Sequence, residues 1–412
     1  MKNSNTPPRI LLLTQWFDPE PTFKGVLFAQ TLVDRGFEVE VITGFPNYPG
    51  GAVYPGYNIS PLSVESFNGV RVSRVPLYPS HDKNKIGRVI NYISFAASSL
   101  FYGLFVAKKA DVLYVYHPPL TVGIAAIFIR LFRRIPVVLD IQDLWPDTLR
   151  ATGMITNGLV LRIVSKVCSL VYSFVDDIVV LSPGFKRELV ARGVAPRKLH
   201  VIYNWADEKK LSKRDAEIEN YRFGLEGFIV LFAGNIGQAQ DLKVILEAAK
   251  LLQSRQPEVQ FVLMGGGLQV EELKLAAQSF ALSNVHFRPA VSSSVVSGFL
   301  RSADALLIHL KADPLFEITI PGKTQAYMAV GKPILMGVKG DAASLVKEAR
   351  CGKCFQPSNA ESLAAAVEEL TAMPKEELWR LGSNARSFYE ERLSLVRGVE
   401  QFSKVFSKNI KS

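Results

Sequence analysis

Cysteine is scarce in this sequence: 412 residues contain three, Cys168, Cys351 and Cys354. That is too few for a disulfide framework and suits a reducing compartment. Cys351 and Cys354 form a Cys-x-x-Cys, but a zinc site needs two further ligands and neither His nor Cys lies near in sequence. Two ordinary thiols at a strand edge are expected. No Asp-x-Asp occurs; Asp140 and Asp143 are three apart and His117 lies well upstream. No metal and no cofactor is therefore expected. Also missing are a helix-turn-helix cue, an RNP-type aromatic run and a basic arm, which argues against nucleic acid as partner. No stretch reads as linker or low complexity. Met1 to Pro8 is polar and the apolar run Ile10–Leu13 has only a strand's length, so no secretory leader is expected.

Acidic residues are outnumbered, 38 against 48 Lys and Arg, for a formal charge of +10 and a pI near 9.3. Charge of one sign speaks of partners. Basic residues flank apolar segments: Arg71, Arg74, Lys83, Lys85 and Arg88 precede the uncharged run Val89–Ala107, Lys108 and Lys109 follow it, and Arg130, Arg133 and Arg134 close the next. An anionic membrane surface is the partner this implies. The run Val89–Ala107 is 19 residues long, enough to span a bilayer, but it carries Asn91, several serines and a glycine. An interfacial helix and a buried domain helix both fit better.

With 48% apolar residues the chain can build two domains. Apolar strands are expected at Arg9–Thr14, Glu38–Thr43, Val112–Val115, Val137–Leu139, Ile178–Leu181 and Leu199–Ile202, most separated by helices of ten residues or more. This alternation implies a parallel sheet covered on both faces. The charged stretch Asp207–Tyr221 reads as a connection. The pattern then restarts with strands at Phe228–Ala233, Gln260–Met264, Ala305–His309, Pro333–Met336 and Gly352–Phe355. Two successive doubly wound α/β domains are expected, with loops at their strand carboxyl ends lining a cleft.

The most informative segment is Phe316–Ile334. It holds a lone acid, Glu317, then a Pro-Gly-Lys turn that opens a short apolar helix ended by Gly331. A helix N-terminus offers free N–H groups and a positive dipole end. With Gly322 before it and Lys323 and Thr324 beside it, it can hold a diphosphate; Glu317 can hold sugar hydroxyls. Glycines Gly234 and Gly237 follow one strand, and Gly265, Gly266 and Gly267 follow the next, where backbone can approach phosphate. The plainer alternatives are a solvated helix-start lysine for Lys323 and a surface-loop acid for Glu317. In the first half, Lys24 and Gly25 follow the first strand and are candidates to meet phosphate or acceptor, with Glu20 beside them. Asp143 follows another strand and is a candidate for holding a sugar hydroxyl. His117 ends a strand; a structural role weighs against a catalytic one.

Several segments, in order, resemble glycosyltransferase family 4: RILLLTQWFDPEPTFKG near the start, TGFPNYPGG at Thr43–Gly51, VVLDIQDLWPD at Val137–Asp147, VIYNWAD at Val201–Asp207, LFAGNIGQAQDL at Leu231–Leu242, VLMGGG at Val262–Gly267 and FEITIPGKTQAYMAVGKPI at Phe316–Ile334. Within that family the chain is similar to bacterial fucosamine- or colanic-acid-type enzymes. The resemblance implies the GT-B fold, two Rossmann-like domains facing across a cleft, with an acceptor and membrane-facing domain over 1–206, a nucleotide-sugar domain over 207–392, and a terminal helix within 393–412 packing back on the first.

It also implies a retaining transfer by same-face attack, from a nucleotide sugar such as a UDP-sugar to a polyprenyl-diphosphate-linked saccharide, feeding a surface polysaccharide. The enzyme would work from the cytoplasmic face of the inner membrane. Glu317 matches the first Glu of the family's Glu-x7-Glu; for the second, counting seven residues between gives Gln325, which could bond a ribose or be a surface residue, and anchoring on Met328-Ala329 gives Ala326. Where many relatives carry an Arg and a Lys, this chain has Asn235 and Gln240, so the usual cationic pair is missing. Lys323 is the natural substitute, and Lys243 a weaker one. Alternatives are a sugar-nucleotide epimerase or hydrolase of the same fold, and a non-catalytic assembly scaffold.

Overall fold

The computed structural model describes residues 7–80, 85–117, 120–151, 154–292 and 294–411. It divides into two compact units, one of residues 1–203 with 398–412 and one of residues 204–397.

The first unit is built on an eight-stranded sheet. Its strands are β1 (Arg9–Thr14), β2 (Glu38–Gly44), β3 (Ser63–Phe67), β4 (Val70–Val75), β5 (Val112–His117), β6 (Val137–Ile141), β7 (Asp177–Val180) and β8 (Leu199–Val201), in the order β3-β4-β2-β1-β5-β6-β7-β8. All pairings are parallel except β3 with β4. Ile10, Leu11, Leu12 and Leu13 are wholly buried, as successive residues must be when helices cover both faces. The edge pair β3–β4 is a hairpin turned by Asn68 and Gly69, both at positive φ. Its alternating exposed residues make a weak strand signal, and sequence reading did not find it.

The second unit carries β9 (Phe228–Ala233), β10 (Val259–Met264), β11 (Val285–Arg288), β12 (Ala305–His309), β13 (Ile334–Gly337) and β14 (Gly352–Cys354), all parallel, in the order β11-β10-β9-β12-β13-β14. This is the doubly wound nucleotide-binding order, and it reverses between β9 and β12. Leu246, Ala249 and Leu252 on one helix and Leu363, Val367 and Leu370 on another pack with Phe261 and Leu263 in its core.

Two local differences from the sequence pattern have clear causes. Asp207–Tyr221 contains two short helices, Glu208–Leu211 and Ala216–Tyr221, capped by the Asp207 and Asp215 carboxylates. The last helix starts at Leu395 and runs to Lys411, after a wide turn at Tyr389–Leu393. The Glu208 carboxylate sets that break: its Oε1 accepts from Tyr389 Oη at 2.7 Å and from Leu395 N at 2.8 Å. In the first unit, Phe402 and Phe406 of this helix pack edge-on against Tyr114, with ring centroids 5.4 Å away in each case.

Candidate active site

In the second unit the loops at the carboxyl ends of β9 and β10 form one backbone assembly. Gly234 N donates to Met264 O at 2.8 Å, Ile236 N to Gly266 O at 2.8 Å and Gln269 N to Ile236 O at 3.2 Å. Glycine is required for this closeness: a Cβ on Gly265 would lie 1.8 Å from Gly234 O, and one on Gly267 2.1 Å from Ile236 O. Gln240 steadies the first loop, its Oε1 accepting from Gly237 N and from Asn235 Nδ2.

The helix Gly322–Val330 docks on this assembly through two side chains four residues apart. Tyr327 Oη accepts from Ala233 N at 3.0 Å and donates to Ala233 O at 3.2 Å. Lys323 lies across Gly234, where a Cβ would meet its Cε at 2.6 Å, and its Nζ is 3.5 Å from the centroid of the Phe232 ring. No carboxylate pairs with it among the described residues. Burial holds its ammonium down to about 7, so near neutrality it is only partly charged. An anion arriving here would restore the charge.

Beside Lys323 is a cavity of about 490 Å³. Its walls include Gly234, Asn235, Gly266 and Lys323, and on the apolar side Ala290 and Val291. The arrangement offers a cation and glycine backbone to a diphosphate, and an apolar slot to a flat base. Gly237, Lys243, Gly322, Thr324, Gln325 and Glu317 are not among its lining residues. Lys243 is exposed in the first turn of the helix Lys243–Arg255. Gly322 is exposed, while Thr324 is buried with an Oγ1 that finds no partner among the described residues. Glu317 ends the short helix Pro314–Glu317, whose N-cap is Asp313. It is exposed, and its carboxylate has no partner among the described residues.

Gln325 departs from the expected ribose contact. It is 2% exposed, and with its amide oriented to suit its neighbours the nitrogen donates to Pro321 O at 3.0 Å and Gly322 O at 3.3 Å. It braces the helix start from inside.

In the first unit, Lys24 and Gly25 also lie elsewhere than expected of ligand contacts. Lys24 is fully buried, with its Nζ 4.0 Å from Asp140 Oδ2 and 4.9 Å from the centroid of the Phe402 ring. Burial lowers its ammonium to about 8 against the pull of Asp140. The same burial raises Asp140, although Tyr114 Oη, at 2.6 Å, and Gln142 Nε2 both donate to it. Gly25 opens the helix Val26–Asp34, but the anion at that N-terminus is already supplied: Asp18 Oδ2 accepts from Val26 N at 2.6 Å and occupies the space a Gly25 Cβ would take.

Asp143, beyond the carboxyl end of β6, keeps its candidacy on geometry. It is half-buried, burial raises its carboxyl, and no described residue pairs with it. It lies within electrostatic reach of Tyr48 and Tyr92, whose hydroxyls it helps to raise after burial itself. Tyr48 stacks on Trp16 with centroids 4.7 Å apart. Glu20 is a clasp: its oxygens accept from Asn47 N and Tyr48 N, both at 2.8 Å, and from Phe17 N at 3.2 Å, while burial raises it to about 7. Trp16, Tyr48 and Tyr92 were not singled out in sequence; only folding brings two distant loops and the helix Lys85–Phe105 together around them. His117 closes β5, and its side chain lies outside the described residues.

Among the described residues no group of three or more His, Cys, Asp or Glu is placed to hold a metal ion. Cys351 is buried and Cys354 half-buried, both unpaired. A cavity of about 450 Å³ in the first unit, lined by Arg130, Pro136, Asp176 and Asn409, lies by the amino ends of β6 and β7, away from the loops described above.

Residues 27–205 match the family described as Glycosyl transferase 4-like domain, and residues 213–388 match Glycosyl transferases group 1. The chain is 26% identical over 420 residues to a protein of Escherichia coli (strain K12) with the provisional name colanic acid biosynthesis glycosyl transferase WcaI, covering 96% of this chain and 98% of that one. It is 25% identical over 272 residues to the provisionally named glycosyltransferase WbjE of Pseudomonas aeruginosa, covering 65% of this chain and 66% of that one. Among solved structures, Anabaena Alr3699/HepE in complex with UDP and glucose superposes with a TM-score of 0.69 at 16% identity, over 97% of this chain and 100% of that one. WaaG, a glycosyltransferase involved in lipopolysaccharide biosynthesis, does so at 0.63 and 16%, over 97% and 99%. With both halves matched in order and two Rossmann-like sheets in place, this chain is a glycosyltransferase of family 4 with the GT-B fold.

Proposed function

We propose that this enzyme moves a sugar from a nucleotide sugar, with UDP as the carrier, to a polyprenyl-diphosphate-linked saccharide, with retention of configuration, in the building of a surface polysaccharide. The observation that carries the donor half is Lys323: a half-buried cation over Phe232, without a counter-ion among the described residues, at the wall of a cavity that Asn235 and glycine backbone also line. Such a group is poised for the diphosphate, whose negative charge grows as the glycosidic bond breaks. Relatives named for colanic acid and O-antigen synthesis, and the UDP-sugar bound by HepE, support this reading. The sugar proposed is an N-acetylfucosamine type, on the resemblance of the sequence motifs to fucosamine-type enzymes alone.

The proposed division of labour follows from chemistry. Glu317 steadies the donor sugar as positive charge develops at its reacting carbon. Asp143, flanked by the Trp16–Tyr48 stack, orients an acceptor hydroxyl. A donor phosphate oxygen takes the acceptor's proton as the hydroxyl attacks the face the leaving group departs. The protein supplies position and charge.

The lipid-linked acceptor brings the enzyme to the cytoplasmic face of the inner membrane, where basic residues meet anionic headgroups. Lys108, Lys109 and Arg134 are exposed and suit that task. Arg74 does not, being wholly buried against Glu65, with its Nε 2.8 Å from the carboxylate. Among the described residues no helix is long and apolar enough to cross a membrane, so seating is peripheral in this proposal. A donor panel with and without lipid-linked acceptor tests the function. UDP-sugar consumption that requires the acceptor and yields an α-linked product from an α-linked donor is expected; consumption without acceptor would make the enzyme a hydrolase or epimerase, and none at all a scaffold.

A further inference from the structure

Three helices of the first unit lie side by side with an apolar outer face. The helix Lys85–Phe105 exposes Ile86, Ile90, Ile93, Phe101 and Phe105, spaced to fall on one side, while Asn91, Phe95, Ser99 and Tyr102 face inward. The helix Leu120–Arg133 exposes Ile124, Phe128, Leu131 and Phe132. It packs closely on the first, where a Cβ on Gly103 would lie 2.5 Å from Ile129 Cδ1.

The third helix, Gly158–Phe174, was not part of the membrane expectation drawn from sequence. It is capped by Asn157, whose side chain accepts from Leu159 N and Val160 N, and packs beside the second helix with Val171 against Gly123. Cys168, Val171 and Tyr172 face inward. Outward, Leu159 is 63% exposed, Ile163 54% and Leu170 54%, with Phe174 at the end of the stripe. Arg162 and Lys166 are exposed among them.

None of the three helices contains an Asp or Glu. An apolar stripe with cations and no anions has two needs, removal from water and negative charge nearby. A second copy of this chain would supply the first and oppose the second, since an isologous contact brings like charges together. The interfacial zone of an anionic bilayer supplies both.

We infer that the helix Gly158–Phe174 is a membrane-seating element of this enzyme, lying flat with Leu159, Ile163, Leu170 and Phe174 at the headgroup–acyl boundary and Arg162 and Lys166 at the phosphates. The inference rests on the membrane reading above and extends it from surface charge to shallow apolar insertion by a third helix. Lying flat, 17 residues reach about 25 Å along the surface.

The test is cosedimentation of the full chain with vesicles of phosphatidylglycerol and phosphatidylcholine, and with phosphatidylcholine alone. Leu159→Ser/Ile163→Ser/Leu170→Ser should lower the partition coefficient on anionic vesicles by at least about tenfold, since each removed side chain contributes apolar burial. Because these side chains are exposed, its melting temperature and UDP binding should match wild type. Arg162→Ala/Lys166→Ala should lower it less and reduce its salt dependence. Wild-type binding that the triple serine variant retains would overturn this inference and leave the membrane reading standing. Wild-type protein that binds neither vesicle would overturn both. A wild-type dimer in sedimentation velocity that the serine variant converts to monomer would assign the face to a second copy and overturn the inference.

Discussion

If Lys323 receives the diphosphate, donor binding takes up a proton. In the free protein burial holds the Lys323 ammonium at about 7. A diphosphate alongside favours the charged form, so the bound lysine titrates higher. Below pH 7 the free protein already carries the charge and affinity is flat, whereas above pH 7 binding must first protonate the lysine. Affinity for UDP should then fall by about tenfold per pH unit until the bound-state value is reached. At pH 9 about 1% of free Lys323 is charged, which corresponds to a loss of about 100-fold, or about 2.7 kcal/mol. Calorimetric titration of UDP from pH 6 to 9, in buffers of different ionisation enthalpy, measures affinity and proton uptake together. The UDP ligand's own ionisation is removed by titrating Lys323→Ala in parallel, which should bind weakly with no such slope. Lys323→Arg keeps its charge at every pH and should flatten the profile. Equal proton uptake in wild type and Lys323→Ala would take Lys323 out of the diphosphate site.

Glu317→Gln should lose nearly all transfer while melting like wild type, because its exposed carboxylate supports no contact in the fold; near-normal turnover would remove Glu317 from the site. Gly265→Ala should cost about 2–3 kcal/mol of stability and weaken UDP binding, because the new methyl meets Gly234 O at 1.8 Å; a denaturant melt and a UDP titration decide it. Lys24→Met should destabilise by about 3–5 kcal/mol by stranding Asp140 inside, and adding Asp140→Asn should recover most of the loss. A stable Lys24→Met that fails only in ligand binding would return Lys24 to the surface role its loop position suggests.

Sequence alone determined what depends on neighbours along the chain. Runs such as Ile10–Leu13 and Ile229–Phe232, apolar at every position, have to be strands covered on both faces, and helices between them lead to parallel sheets. Pro321, Gly322 and the αL Gly331 bound the helix that carries Lys323, a local matter of caps and φ. Burial and pairing depend instead on residues far away in sequence. Lys24 and Lys323 both follow a strand or open a helix, yet one meets Asp140 in the interior and the other meets the ring of Phe232 and, among the described residues, no acid. Gly25 precedes a helix that looks free to take an anion until Asp18 folds back onto it. Gln325 stands where an acid would contact ribose, and its amide turns inward to Pro321 and Gly322. The helix Gly158–Phe174 has apolar residues on most of its surface, so its pattern could not say which would stay uncovered; that was decided when Leu120–Arg133 took one side of it. A charge's energy is set by what surrounds it in space, and only the tertiary structure brings those surroundings together.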